Sequence, residues 1–75
     1  MANVLIKGTY EGYEQKPDNN GNTRTQVGIK QGLNIKRVTV KPESVKRFLD
    51  MKQGQELSLE VWASAYNNNV YFKEI

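Results

Sequence analysis

The chain has 75 residues, of which 37% are hydrophobic and 25% are charged, and its 11 basic and 8 acidic residues give a net charge of +3. At this length we expect one small domain over residues 1–75 with a thin core, because about 60% of the unfolded surface is buried on folding. Cysteine and histidine are both absent, which excludes disulfides, thiolate chemistry, cysteine-based zinc sites and the commonest general base near neutral pH.

Targeting and membrane signals are also missing from the sequence. The N-terminus MANVLIKG lacks the basic start and the long apolar stretch of a secretory signal. No apolar run approaches the roughly 20 residues of a membrane-spanning helix. We therefore expect a cytoplasmic protein with no membrane contact, whose mild positive charge suits a polyanionic partner.

The first half of the chain predicts three strands. Residues 4–13 alternate in polarity as one long strand with bends at its glycines, and the polar cluster QKPDNNGN at residues 15–22 is typical of a loop. Residues 23–31 alternate again, and a turn around Gly32 leads to the segment NIKRVTV at residues 34–40. These two strands are expected to pair as a hairpin.

The second half predicts a short helix followed by two strands. Residues 41–55 have the proline and glutamate of a helix start, and Gly54 is expected to end the helix. The apolar stripe of this helix consists of Val45, Phe48 and Leu49. Residues 57–66 alternate as a strand, residues 67–69 (NNN) suit a turn with left-handed asparagines, and residues 70–75 form the last strand.

This element order, β-β-β-α-β-β, is that of the OB-fold. Closing the strands into a barrel removes the exposed edges that a flat sheet of this size would leave, and a helix can cover one open end. An SH3-like barrel is the main alternative, but it normally lacks a helix between its third and fourth strands. We predict an all-β, five-stranded OB-fold barrel with one short helix between strands 3 and 4.

The acidic residues and the serines do not indicate a catalytic site. No two carboxylates form a close pair inside an apolar segment, where a raised pKa would be expected, so all 8 are expected to be solvated. The serines have no histidine to activate them, and no glycine-rich phosphate loop precedes the helix. We expect neither enzymatic activity nor a cofactor or metal ion.

One outward face is expected to combine basic and aromatic side chains, as single-stranded nucleic acid requires. The alternation places on the outside Arg24, Lys30 and Arg37 of strands 2 and 3, and Trp62 and Tyr66 of strand 4. In an OB barrel, strands 2 and 3 form the usual binding face, flanked by the loops that join strands 1 to 2 and 4 to 5. The further candidates are Tyr13, Tyr71, Lys7, Lys16 and Lys36.

Each candidate also has a purely structural interpretation. The basic residues of the hairpin could be solubilising charges on exposed strands. Tyr10 and Phe72 fall in core phases of their strands, and Phe48 belongs to the helix stripe, so these three are expected to pack inside. Trp62 could stack on a base, lie in a subunit interface, or be covered by the helix or a loop of its own chain.

Three segments of the chain resemble a known group of proteins. They are the basic hairpin RTQVGIKQGLNIKRVTV, the long strand GQELSLEVWAS and the closing strand NNNVYFKEI. Together they resemble the small OB-fold single-stranded DNA-binding proteins of phages and plasmids, above all the helix-destabilising proteins of filamentous phages. The chain departs from that pattern in its short second hairpin, which lacks an extended wing, and in its aromatic residues, which are concentrated in strands 1, 4 and 5.

The resemblance implies a homodimer that coats single-stranded DNA cooperatively and with little sequence preference. It also implies that Arg24, Lys30 and Arg37 contact phosphates while Trp62 or a tyrosine contacts bases. Two other functions stay open from the residues: an RNA-binding OB module, or a small protein-interaction domain that buries Trp62 and Tyr66 against a partner. Competition between DNA and RNA oligonucleotides distinguishes the first alternative from DNA binding. An Arg37→Glu change distinguishes the second, because it should weaken DNA binding but leave the binding of a protein partner nearly intact.

Overall fold

The computed structural model describes residues 2–75 and, for Ala2, the backbone alone. Within these residues the strands form a closed barrel in the order β1-β2-β3-β5-β4. The strands are β1 (Ala2–Pro17), β2 (Thr23–Gln31), β3 (Asn34–Thr39), β4 (Glu56–Tyr66) and β5 (Asn69–Glu74). A 3-10 turn, Pro42–Ser44, and helix α1, Val45–Leu49, lie between β3 and β4. The predicted five-stranded OB-fold barrel with one short helix is confirmed.

The long strand β1 belongs to both neighbouring ladders of the barrel. Its first half pairs with β4 and its second half with β2, and Thr9 is the residue at which it changes partner, since it pairs with both Glu56 and Lys30. At Gly8 the strands approach so closely that a side-chain carbon would overlap the carbonyl oxygen of Lys30. Glycine is required there because it alone permits this close backbone approach.

A β-bulge in β1 changes which side chains face outward. The register passes from the pair Tyr10 and Ile29 directly to the pair Gly12 and Gly28, with Gly12 at a φ of +120°. The extra residue reverses the alternation beyond this point. Tyr13 is therefore in register with buried Val27, although the alternation of the sequence predicts the opposite phase for it; its side chain is nevertheless 53% exposed.

The core fills the barrel, and α1 closes one end of it. The buried apolar side chains are Ile6, Tyr10, Val27, Ile29, Val38, Val40, Phe48, Leu59 and Val61. Phe48 is the buried residue of α1, and the Tyr10 hydroxyl donates to its carbonyl oxygen over 2.8 Å. The predicted packing of Tyr10 and Phe48 is confirmed, whereas Phe72 is half-buried and Leu49 is 42% exposed. Leu49 is outside the core because α1 has only 5 residues and turns one narrow side to the barrel.

Two predicted boundaries are wrong. Residues 15–17, predicted as loop, continue β1 because they pair with β2, and the loop contracts to residues 18–22. The side chain of Asp18 closes this loop by accepting the backbone N–H groups of Asn20 (2.8 Å) and Asn22 (2.9 Å). The helix ends at Leu49, and Gly54, at a φ of +91°, instead lies in the turn before β4.

No helix within residues 2–75 is long and apolar enough to span a membrane.

Glu74 is not the solvated carboxylate that the sequence predicts. It is 7% exposed, and its two oxygens accept the backbone N–H of Lys41 and the hydroxyl of Ser44, each over 2.9 Å. A buried carboxylate is stable when hydrogen bonds compensate its lost hydration. Glu74 therefore joins the end of β5 to the 3-10 turn that follows β3.

Candidate nucleic-acid interface

A row of side chains crosses four strands on the outer surface of the barrel. In register, Gln26 pairs with Thr39, Thr39 with Lys73, and Lys73 with Trp62. Paired residues of neighbouring strands lie on the same face of a sheet. Trp62 is 38% exposed, so its own chain covers only part of this side chain.

An open groove of about 1260 Å³ runs over this row and brings four of the predicted residues together. Arg24 of β2, Arg37 of β3, Trp62 of β4 and Tyr71 of β5 all line it. We call this the main groove. Strand alternation places these side chains on the outside, and closure of the barrel through β5 brings β3 beside the aromatic residues of β4 and β5.

Sequence reasoning missed two lysines of the main groove, Lys41 and Lys73. Lys73 lies two positions after Tyr71 on β5 and shares its outward phase, so the alternation contained a signal for it. Lys41 lies between β3 and the 3-10 turn, where no alternation predicts its direction. Its backbone N–H donates to Glu74, which lines the same groove.

The main groove is electropositive in the described part of the chain. Its lining includes four cationic side chains, Arg24, Arg37, Lys41 and Lys73, against one acidic side chain, that of Glu74. That carboxylate is buried and already accepts two hydrogen bonds. Positive charges gathered along a cleft attract polyanions. Together with the aromatic side chains of the lining, they match what single-stranded nucleic acid needs from a protein surface.

Arg37 is held at the border of the main groove by an ion pair. Its Nη1 lies 3.0 Å from Oε2 of Glu14, and the other oxygen of Glu14 lies 3.0 Å from Nζ of Lys16. The hydrogen bond with Lys16, followed by the positive charges of Lys16 and Arg37, lowers the pKa of Glu14 below its usual value. Arg37 also lines a smaller cleft of about 230 Å³, to which Tyr13 and Glu14 contribute.

Two predicted lysines lie together at a separate place. Lys7 and Lys30 line a cavity of about 790 Å³ where β1 passes from β4 to β2. Glu11 and Glu56 line the same cavity. The opposite charges offset one another, so this cavity lacks the positive excess of the main groove.

The two remaining predicted residues do not line the main groove. Lys36 is in register with buried Ile29, which puts it in the inner phase of β3, and its ammonium lies 5.7 Å from the centre of the Phe72 ring. Tyr66 is 69% exposed beside the turn formed by Asn67 and Asn68. The structure does not bring either side chain to Trp62.

The fold is similar to that of a single-stranded DNA-binding protein. Two crystal forms of Rim1, a mitochondrial single-stranded DNA-binding protein of S. cerevisiae, superpose on the barrel. One has a TM-score of 0.78 at 19% identity and covers 99% of this chain and 87% of that chain. The other has a TM-score of 0.69 at 14% identity, with 99% and 89% covered. No family model and no curated protein matches the sequence. The likeness is one of fold, and the phage or plasmid type stays a prediction.

Proposed function

We propose that this protein is a non-enzymatic, single-stranded DNA-binding protein with little sequence preference. The observation that carries the proposal is the main groove, where Arg24 and Arg37 meet Trp62 and Tyr71 over one surface. The likeness of the fold to a single-stranded DNA-binding protein supports it. Stacking and phosphate contacts tolerate every base, so a surface built from them binds without reading sequence.

In this proposal the cationic side chains follow the phosphates while the rings take the bases. Lys73 pairs directly with Trp62 between β4 and β5. The phosphate of a base that stacks on Trp62 would therefore lie near the positive charge of Lys73. Each stacked base contributes about 1 to 3 kcal/mol. Lys30 shares the outward phase of Arg24 on β2, and we propose that it extends the phosphate path. Tyr13, Tyr66, Lys7, Lys16 and Lys36 stay predictions as further contacts.

The first prediction concerns DNA binding and its dependence on salt. Anisotropy of a labelled oligothymidylate should show affinity that falls steeply with salt, by a log–log slope of about −0.7 for each phosphate contacted. Arg24→Gln and Lys73→Gln should each make the slope shallower by about one contact. Trp62→Ala should reduce affinity by about 1 to 3 kcal/mol, and binding should quench the fluorescence of Trp62 in the unmodified protein.

Lys52→Gln is the matched control, because it removes the same charge from an exposed position that does not line the main groove. It should change affinity little. Binding that ignores salt, or an equal loss for Lys52→Gln and Lys73→Gln, would contradict the proposal. An RNA competitor distinguishes the RNA-binding alternative. We also propose that the protein is a homodimer. Sedimentation of the same samples tests this oligomeric state, and finding only a monomer would contradict it.

A further inference from the structure

Glu14 is the carboxylate closest to the cationic side chains of the main groove. The bulge at Gly12 turns it outward, where it pairs in register with Gln26 and so begins the row that ends at Trp62. Its two oxygens are divided between Lys16 and Arg37, each at 3.0 Å. An acidic side chain thus occupies cations that the proposed function assigns to phosphates.

Arg37 has two possible anions within reach of one guanidinium. It lines the main groove, where a DNA phosphate would lie, and the smaller cleft, where Glu14 lies. A guanidinium binds carboxylate and phosphate with the same planar fork of donors. Both partners of the ion pair are exposed, at 62% and 45% of their side-chain surfaces, so the pair is weak and can exchange.

We propose that Glu14 is an internal competitor of the DNA phosphate. In the free protein its carboxylate occupies Arg37 and Lys16, and a bound strand displaces it from at least Arg37. The inference rests on the proposed function and adds that Glu14 lowers the affinity of the site for DNA. Among residues 2–75, the groove cations Arg24 and Lys73 have no ion pair within 4.0 Å, and Lys41 has only the longer one with Glu43, at 3.9 Å, so the close competition is local to Arg37 and Lys16.

The test compares Glu14→Gln with Glu43→Gln. Both changes add one positive charge, and Glu43 also lies beside a groove lysine, but its oxygen is 3.9 Å from Nζ of Lys41. The probe is an oligothymidylate of about 16 nucleotides, the upper site size of one OB-fold. Glu14→Gln should bind about threefold to tenfold more tightly than the unmodified protein at low salt, and Glu43→Gln less than about twofold. The gain should shrink as salt screens the charges.

A second arm shows whether the effect passes through Arg37. In an Arg37→Gln background, Glu14→Gln should retain only the gain that comes through Lys16, about twofold at most. An undiminished gain in that background would mean that the carboxylate acts through the overall charge of the protein. A loss of affinity in Glu14→Gln would mean that Glu14 positions Arg37 for DNA. Either result overturns the inference.

The outcomes separate this inference from the proposed function. If the unmodified protein binds with the expected salt dependence and Glu14→Gln behaves like Glu43→Gln, the inference alone fails. If only Glu14→Gln binds, the competition is supported and the function of the unmodified protein is not DNA binding. If no variant binds, both are overturned. Equal thermal unfolding of the two variants confirms that they are folded.

Discussion

Tyr10 connects the wall of the barrel to the helix that closes it. The ring is 2% exposed, its hydroxyl donates to the carbonyl oxygen of Phe48 over 2.8 Å, and the two rings lie 6.2 Å apart. Burial, and to a lesser extent the nearby Tyr13, raises the pKa of Tyr10 above its ordinary value of 10.0. The neutral hydroxyl is therefore the form that the fold requires.

Tyr10→Phe should lower the free energy of unfolding by about 0.5 to 1.5 kcal/mol at neutral pH, because the hydrogen bond to the carbonyl of Phe48 is lost while that carbonyl keeps the backbone N–H of Met51 as a donor. Since the pKa is raised in the folded state, the unfolded tyrosine ionises first as pH rises. The unmodified protein should therefore lose stability as pH rises above 10.0, and Tyr10→Phe should lose less over the same range. Urea unfolding at neutral and alkaline pH measures both effects. Equal stability of the two proteins at neutral pH would contradict this role of the hydroxyl.

At the scale of elements, the bulge in β1 decides which residues of the first hairpin reach the outer face that carries the main groove. Gly12 adopts a φ of +120°, and the bulge brings Glu14 into register with Gln26 and Lys16 into register with Arg24. Without the extra residue, Glu14 would lie in the phase of buried Val27. The ion pair between Glu14 and Arg37 is thus a consequence of one backbone irregularity.

Gly12→Ala should lower the free energy of unfolding by about 1 to 3 kcal/mol, because an L side chain is strained at this φ. Gly28→Ala is the control, since Gly28 is the direct partner of Gly12 but lacks a positive φ. Its new carbon would lie 3.3 Å from Cγ2 of Ile35, an exposed side chain that can move aside. The control should therefore cost less than about 0.5 kcal/mol. Chemical unfolding measures the stability of both variants. A larger loss of stability for Gly28→Ala than for Gly12→Ala would contradict the role of the positive φ at Gly12.

At the scale of the whole molecule, the barrel closes through its shortest ladder. β3 and β5 run parallel and pair only at Val38 with Phe72 and at Thr39 with Lys73, whereas β1 and β4 share eight pairs. Glu74 lies directly after this ladder and bonds to the backbone of Lys41 and the hydroxyl of Ser44. Its carboxylate extends the short connection, which also forms the floor of the main groove.

Glu74→Ala should lower the free energy of unfolding by about 1 to 3 kcal/mol, because it leaves a partly buried N–H and a hydroxyl without their acceptor. Amide exchange of Lys41 should become faster. Glu60→Ala, an exposed carboxylate on β4, is the control and should change stability by less than about 0.5 kcal/mol. Urea unfolding and hydrogen exchange measure the effects. Equal stability of the two variants would show that Glu74 does not reinforce the connection between β3 and β5.

The sequence by itself determined the strands, their order and most of the core. A period of two places Val27, Ile29 and Val61 inside and Trp62 outside wherever a strand is regular, because successive side chains alternate between faces. The same local rule could not locate the bulge at Gly12, and so it assigned Tyr13 the wrong phase.

The tertiary structure alone decided which outward residues meet. Arg37 lies beside Tyr71 and Trp62 because the barrel closes by pairing β3 with β5, residues far apart in the chain. Lys36 directly precedes Arg37 in the chain, yet it lies in the inner phase of β3. Lys30 lies on the same hairpin as Arg37, yet it lines a different cavity. A binding surface depends on contacts between distant strands, and those contacts follow from closure and register rather than from the pattern of any single strand.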